Sequence, residues 1–116
     1  MVSPNQRSLI ELESNFGPDN YKPLPVVLSK AQGVWVWDVD NKKYLDMMSA
    51  YSAVSHGHSH PELLKVFHEQ SARLALTSRA FYTDTLGPYL ETITSVSNFD
   101  MALPMNSGAE AVETAI

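Results

Sequence analysis

The sequence predicts an α/β protein, and three observations carry that expectation. Alternating valines and tryptophans in "VVLSKAQGVWVWDVDNKKYLDM" read as a small β-meander. Two later stretches, each with a proline near its start, read as helices. The last stretch, "MALPMNSGAEAVETAI", runs from apolar residues through a polar turn into good helix formers. That order is the pattern of a strand–loop–helix unit in a parallel sheet.

Taken in order, Ser8 to Asn15 read as a short helix with Leu9, Ile10 and Leu12 on one side. "FGPDNYKPLP" follows, with one glycine and three prolines in ten residues. It is an extended arm that cannot form a helix or a core of its own, so it must lie on another part of the molecule or on a partner. Strands are expected near 25–29, 34–38 and 43–46, with the turn of the second hairpin at Asp40-Asn41. "SAYSAVSHGHSHP" reads as a loop of small residues and histidines. Pro61 then opens a helix over about 61–75, from which Leu63, Leu64, Phe67, Leu74 and Leu76 recur at roughly helical spacing. "TSRAFYTDTLG" is a loop, "PYLETITSVS" a second helix and "MALPM" a short apolar strand. "NSGAEAVETAI" is a helix N-terminus. We divide the chain at residue 60, with the arm and meander before it (1–60) and the helices and βα unit after it (61–116).

Composition narrows the function. A chain of 116 residues with 44% hydrophobic and 18% charged residues is globular in character. Its net charge of −5 and lack of any Lys/Arg cluster argue against a nucleic-acid or anionic membrane surface. With no cysteine there is neither a disulfide framework nor a thiolate metal site. The N-terminus has neither a signal-peptide core nor an Arg-rich presequence, so the expected address is the cytoplasm.

Two constellations could carry chemistry. In "HGHSH", His56, His58 and His60 stand at i, i+2 and i+4, so on a strand all three imidazoles would face one side and suit a metal. Gly57, Ser59 and Pro61 favour a tight turn instead, with the imidazoles bonded to main chain, and no metal is expected. In "NSGAE", Ser107 and Glu110 form a capping box at the start of a helix. The free N–H groups at Gly108 and Ala109, the helix dipole and the Ser107 hydroxyl make a candidate phosphate cradle; an ordinary capped helix is the other reading. Tyr21, Tyr51 and Tyr82 sit in loops, where a free phenol can meet a substrate or bond to main chain. Arg79 could hold a carboxylate or a structural ion pair. No acid–base pair is evident among the scattered carboxylates.

Taken together, "NYKPLPVVLSKAQGVWVWDVDNKKYLDMMSAYSAVSHGHSHPELLKV", "LTSRAFYTD" and "LPMNSGAEAVETAI" resemble the class III, pyridoxal-phosphate-dependent aminotransferases. The resemblance covers about residues 20–116. "GHSHP" and "NSGAE" are class-wide, whereas "NYKPLPVV", "SAYSAV" and "SRAFY" resemble the ornithine branch. It implies part of a fold-type I subunit: the small-domain meander plus the first βα unit of the large-domain sheet. It further implies pyridoxal 5'-phosphate as cofactor and an active site at the interface of a homodimer. The implied reaction moves the δ-amino group of ornithine to 2-oxoglutarate, giving glutamate semialdehyde and glutamate. By the same resemblance Ser107, Gly108 and Ala109 bind the cofactor phosphate, and Tyr21 and Tyr51 line the ornithine pocket. Ser107 stands where the class more often has threonine, which keeps the hydroxyl. His56 and Ser59 stand where many relatives have Gln and Cys. The lysine that forms the Schiff base has no match among Lys22, Lys30, Lys42, Lys43 and Lys65 and is expected beyond Ile116. The chain alone is therefore expected to be inactive and to act with the remaining segment of the same enzyme. Acetylornithine or 4-aminobutyrate as donor, or a non-catalytic phosphate-binding fragment, are the alternative readings.

Overall fold

A computed structural model describes residues 2–116. It divides into two compact units, one ending at Ala75 and one spanning Leu76–Ile116. No helix among the described residues is long and apolar enough to cross a membrane.

The first unit opens with α1, Pro4–Phe16. The helix begins four residues before the expected start because its signal is a cap, not apolar spacing. The Ser3 hydroxyl accepts the Gln6 N–H at 3.1 Å, and Pro4 occupies the first turn, where its missing N–H costs nothing. Gln6 is the buried residue of the helix.

Three strands follow as an antiparallel meander in sequence order: β1 (Leu28–Gln32), β2 (Trp35–Asp38) and β3 (Lys43–Leu45). The first strand starts three residues later than expected. Pro25 has no N–H to give, and the Val26 N–H turns back onto the Leu24 carbonyl at 2.7 Å. Ladder pairing therefore begins around Val27, whose carbonyl accepts the Val39 N–H at 2.9 Å. Opposed pairs include Ala31–Val36 and Val36–Tyr44 on one face, and Lys30–Trp37 and Trp37–Lys43 on the other.

The period of two decides what each face does. Val36 and Asp38 point inward; Val36 is the buried apolar side chain among the described residues and Asp38 is 1% exposed. Trp35 and Trp37 point outward and are capped by lysines. The Lys43 Nζ lies 3.9 Å from the Trp35 ring centroid, and the Lys30 Nζ lies 4.9 Å from that of Trp37.

Under the inward face sits a polar latch rather than an apolar core. The Asp38 Oδ1 accepts the N–H groups of Asp40 (3.0 Å) and Lys42 (2.9 Å), which shape the β2–β3 turn. Its Oδ2 accepts the Tyr44 hydroxyl at 2.7 Å and the Gln6 Nε2 at 3.2 Å. Gln6 also donates to the Asp40 Oδ2 (2.9 Å) and accepts the Val27 N–H (3.2 Å), so one side chain ties α1 to both ends of the first hairpin. The Ser3 hydroxyl donates to the same Asp40 oxygen at 2.5 Å. These donors hold both carboxyls below the usual aspartate range: for Asp38 the Tyr44 hydroxyl is the main cause, for Asp40 the Ser3 hydroxyl. The Tyr44 phenol is pushed up in return.

A one-turn segment, α2 (Ser49–Ser52), and the helix α3 (Pro61–Arg73) complete the unit. The expected loop before the histidines thus holds a helical turn, and α3 ends at Arg73, two residues short of the expected 75, with Leu74 extended. The second unit carries α4 (Leu86–Ser97) and α5 (Gly108–Ala115). Asn98, left-handed at φ 59°, stops α4. Residues 101–105, expected as a strand, join no ladder. A strand exists only by pairing, and the described residues offer this apolar run no partner.

Candidate functional site

The sequence features with chemical potential fall into two places, one in each unit.

In the second unit, Ser107 caps α5 in extended geometry (φ −141°, ψ 162°), and its hydroxyl accepts the Glu110 N–H at 3.3 Å. The hydroxyl in turn donates to the Glu110 carboxylate at 3.0 Å. The expected cap therefore forms, and it satisfies the third N–H of the helix. The N–H groups of Gly108 and Ala109 are left at the positive end of the dipole. A Cβ built on Gly108 meets nothing within 4 Å, so an anion can approach that backbone without obstruction. Two open N–H groups, a hydroxyl and small side chains fit a phosphate. The Glu110 carboxylate must then release the Ser107 hydroxyl and swing toward solvent, since two anions cannot share one donor set.

In the first unit, the arm and α2 meet. The Tyr21 and Tyr51 hydroxyls lie 2.9 Å apart. Both rings are largely exposed, so this contact is made on an open surface. Hydrogen bonding to Tyr21 raises the Tyr51 phenol above its ordinary value. Tyr82 lies in the other unit, 95% exposed.

The backbone that presents Tyr51 is unusual. Ser49, Ala50, Tyr51 and Ser52 have φ of 46°, 46°, 57° and 74°, and with ψ of 50° and 43° at Ala50 and Tyr51 they form one left-handed turn. Left-handed geometry crowds the Cβ of an L-residue and costs roughly 1–2 kcal/mol each. None of the four is glycine, so the surroundings must hold the turn.

Asp46 does much of that holding. Its Oδ1 accepts the N–H groups of Met48 and Ser49, both at 2.9 Å, which starts the turn. Its Oδ2 lies 2.7 Å from the His58 Nε2. With a carboxylate as acceptor, Nε2 is the nitrogen that carries the proton. His58, followed by the N–H groups of Ser49 and Met48, keeps the Asp46 carboxyl below the ordinary aspartate range. His58 is itself pinned: it exchanges two backbone hydrogen bonds of 2.8 Å with Gly33 across an isolated β-bridge. Gly57 makes that approach possible. Its φ is +81°, and a Cβ there would stand 3.2 Å from the Gly33 Cα. A concavity of about 360 Å³ lies here, with Gly33, Asp46, Ser52 and His58 among its walls.

The three histidines thus serve separate ends. His58 binds a carboxylate, where the sequence suggested main chain. The rings of His56 and His60 meet edge to face at 6.2 Å. The His60 Nδ1 is buried and has no hydrogen-bond partner among the described residues. No group of three or more metal-ligating side chains occurs among the described residues. The pair that sequence reasoning missed is Asp46–His58. Its only local signal is an Asp at a strand end followed by small residues, the mark of a side chain that bonds its own turn.

Over residues 16–116 the chain matches the family Aminotransferase class-III, and it belongs to that family. It is 53% identical over 110 residues to the ornithine aminotransferase of Bacillus cereus (strain Q1), a match covering 95% of this chain and 28% of the relative. Among solved structures it is similar to the acetylornithine aminotransferase of Elizabethkingia anophelis. There the identity is 59% and the TM-score 0.92, over 97% of this chain and 28% of that one. It is also similar to the ornithine aminotransferase of Toxoplasma gondii crystallized in the presence of oxidized glutathione, in which PLP partially occupies the active site. That likeness has 37% identity and a TM-score of 0.91, over 95% of this chain and 26% of the other. The chain therefore spans a little over a quarter of the length of the relatives it matches. The expected fold class holds: helices and a three-stranded meander that form part of a fold-type I transferase.

Proposed function

We propose that this chain is part of a pyridoxal-phosphate-dependent ornithine aminotransferase. The reaction moves the δ-amino group of ornithine to 2-oxoglutarate and yields glutamate semialdehyde and glutamate. One observation carries the choice of donor: the paired phenols of Tyr21 and Tyr51, 2.9 Å apart. Ornithine keeps a free, cationic α-amino group at the end remote from the reacting δ-nitrogen. Two phenol oxygens offer lone pairs to an ammonium, and two exposed rings offer their faces. Acetylation would remove that charge, and 4-aminobutyrate has no α-amino group at all.

Ser107, Gly108 and Ala109 would hold the cofactor's phosphate through two backbone N–H groups and one hydroxyl. When bound, the cofactor supplies an electron sink for the amino-acid carbon, which protein side chains lack. This chain's residues bind and orient: α5 offers its N-terminus to the phosphate, and the tyrosine pair takes the far end of the donor. We assign the cofactor's aldehyde to none of Lys22, Lys30, Lys42, Lys43 and Lys65. We assign residues 1–60 to the small domain and 61–116 to the start of the large one, in a homodimer. The broad apolar exposure of α3, with Leu63, Val66 and Phe67 all more than half exposed, suits a chain completed by further protein.

A second reading has a specific observation behind it: the 59% identity to an acetylornithine aminotransferase. Rates of the intact protein with ornithine, N-acetylornithine and 4-aminobutyrate decide between them. Ornithine should be used best, and Tyr51→Ile should lower that preference about tenfold. Equal or better use of N-acetylornithine by the unaltered protein refutes the proposal.

A further inference from the structure

We propose that Asp46, held by His58, is a positioning residue that sets the donor preference by fixing the Tyr51 phenol. The inference rests on the reading that Tyr51 contacts the donor, and adds how the protein keeps it there.

Geometry carries the argument. Four consecutive non-glycine residues in left-handed conformation do not persist unaided. Within the turn, the Tyr51 N–H bonds to the Met48 carbonyl at 2.9 Å and the Val54 N–H to that of Ser49 at 3.1 Å. Those bonds close the turn but do not tie it to the sheet. At its entrance one carboxylate oxygen takes the Met48 and Ser49 N–H groups together, which anchors the start of the turn to Asp46. Asp46 can do this only if its own position is fixed, and it is fixed twice. Its N–H bonds to the Val34 carbonyl at 2.9 Å, which ties it to the sheet. Its second oxygen is held by His58, whose backbone is bridged to Gly33. The Ser59 hydroxyl, donating to the Ala31 carbonyl at 3.1 Å, fastens the same loop to β1. A continuous set of short bonds thus runs from the sheet through Asp46 to the backbone of Tyr51. The last contact in the series is the phenol pair with Tyr21. The glycine–histidine turn serves here as the clamp on Asp46.

The test uses the intact protein with cofactor and two readouts. The first is kcat/KM for ornithine against N-acetylornithine. The second is the ring resonance of Tyr51 in protein carrying ring-labelled tyrosine, assigned with Tyr51→Phe. Asp46→Ala should lower the donor ratio about tenfold, mainly through KM, and shift the Tyr51 resonance as Tyr21→Phe does. Asp46→Asn keeps an acceptor for the turn and should recover most of both. Combining Asp46→Ala with Tyr51→Ile should be no worse for the ratio than Tyr51→Ile alone, because the two act through one group. Should Asp46→Ala fail to accumulate, His58→Gln carries the same readouts. An unmoved Tyr51 resonance in these variants overturns the inference, whatever the rates do. So does an unchanged donor ratio in Asp46→Ala while Tyr51→Ile shifts it. If Tyr51→Ile leaves the ratio unchanged but Asp46→Ala moves the resonance, the donor reading fails and the positioning of Tyr51 stands.

Discussion

Asp38 and Asp46 stand at the ends of neighbouring strands, and each gathers donors from both backbone and side chain. Asp38 takes two N–H groups, a phenol and an amide, and all four belong to an ordinary hairpin and the helix beneath it. Asp46 takes two N–H groups and an imidazole, and holds a turn of the opposite hand. One carboxylate is almost wholly buried and closes the inner face of a sheet that has little apolar core. The other sits at the edge of a concavity and aims an exposed phenol. The same chemistry serves cohesion in the first case and presentation in the second. Burial separates the two roles, because lost partners are costly where water cannot replace them.

The comparison can be broken in several ways. Acid is the broadest. Asp38, Asp40 and Asp46 all have lowered carboxyl pKa values in the folded state. Their stabilisation is complete above the unfolded aspartate value of about 3.9 and is lost as pH falls through the folded values. Thermal melts of the intact protein between neutral pH and pH 3 should show stability declining only below about pH 4; a flat profile there would count against both hubs. Next in size is Asp38→Ala, which orphans four donors. Hydrogen exchange in α1 should accelerate on the order of a hundredfold, whereas Asp46→Ala should leave α1 exchange within a few-fold of the parent. Equal effects from the two would erase the distinction. Val36→Ala removes apolar bulk beside Asp38 without touching a hydrogen bond. It should cost roughly 2 kcal/mol in denaturant unfolding and leave donor preference alone. The smallest effect is Ser3→Ala, about 1 kcal/mol from the loss of a helix cap. No change in α1 stability there would mean that Gln6 alone anchors the helix.

Legibility in the sequence followed the range of the interaction. The pairing of Ser107 with Glu110 was readable because the two are three residues apart: the hydroxyl caps the Glu110 N–H as expected, while the carboxylate takes the Ser107 hydroxyl rather than the backbone N–H of a full capping box. The meander was readable from alternation, but its first strand was displaced by a backbone bond at Leu24 that alternation does not report. Helix α1 starts ahead of its apolar spacing because the Ser3 cap and Pro4 set its first turn. The strand expected at 101–105 shows the converse: apolar character marks a candidate, and pairing makes the strand. Each tyrosine is legible as a loop phenol, but nothing local says that Tyr21 and Tyr51, 30 positions apart, share a hydrogen bond.

By itself the sequence determined what short-range physics controls. That comprises the α/β class, the caps, the hairpin turns, the anion-ready start of α5 and the family motifs. Tertiary structure alone decided which groups meet. It buried Gln6 against Asp38, gave His58 to Asp46, and turned "SAYS" left-handed against the preference of every residue in it. The physical reason is that a local preference of a kilocalorie or so is read residue by residue. A carboxylate held by several distant donors can exceed it, and those donors are adjacent only after the chain has folded.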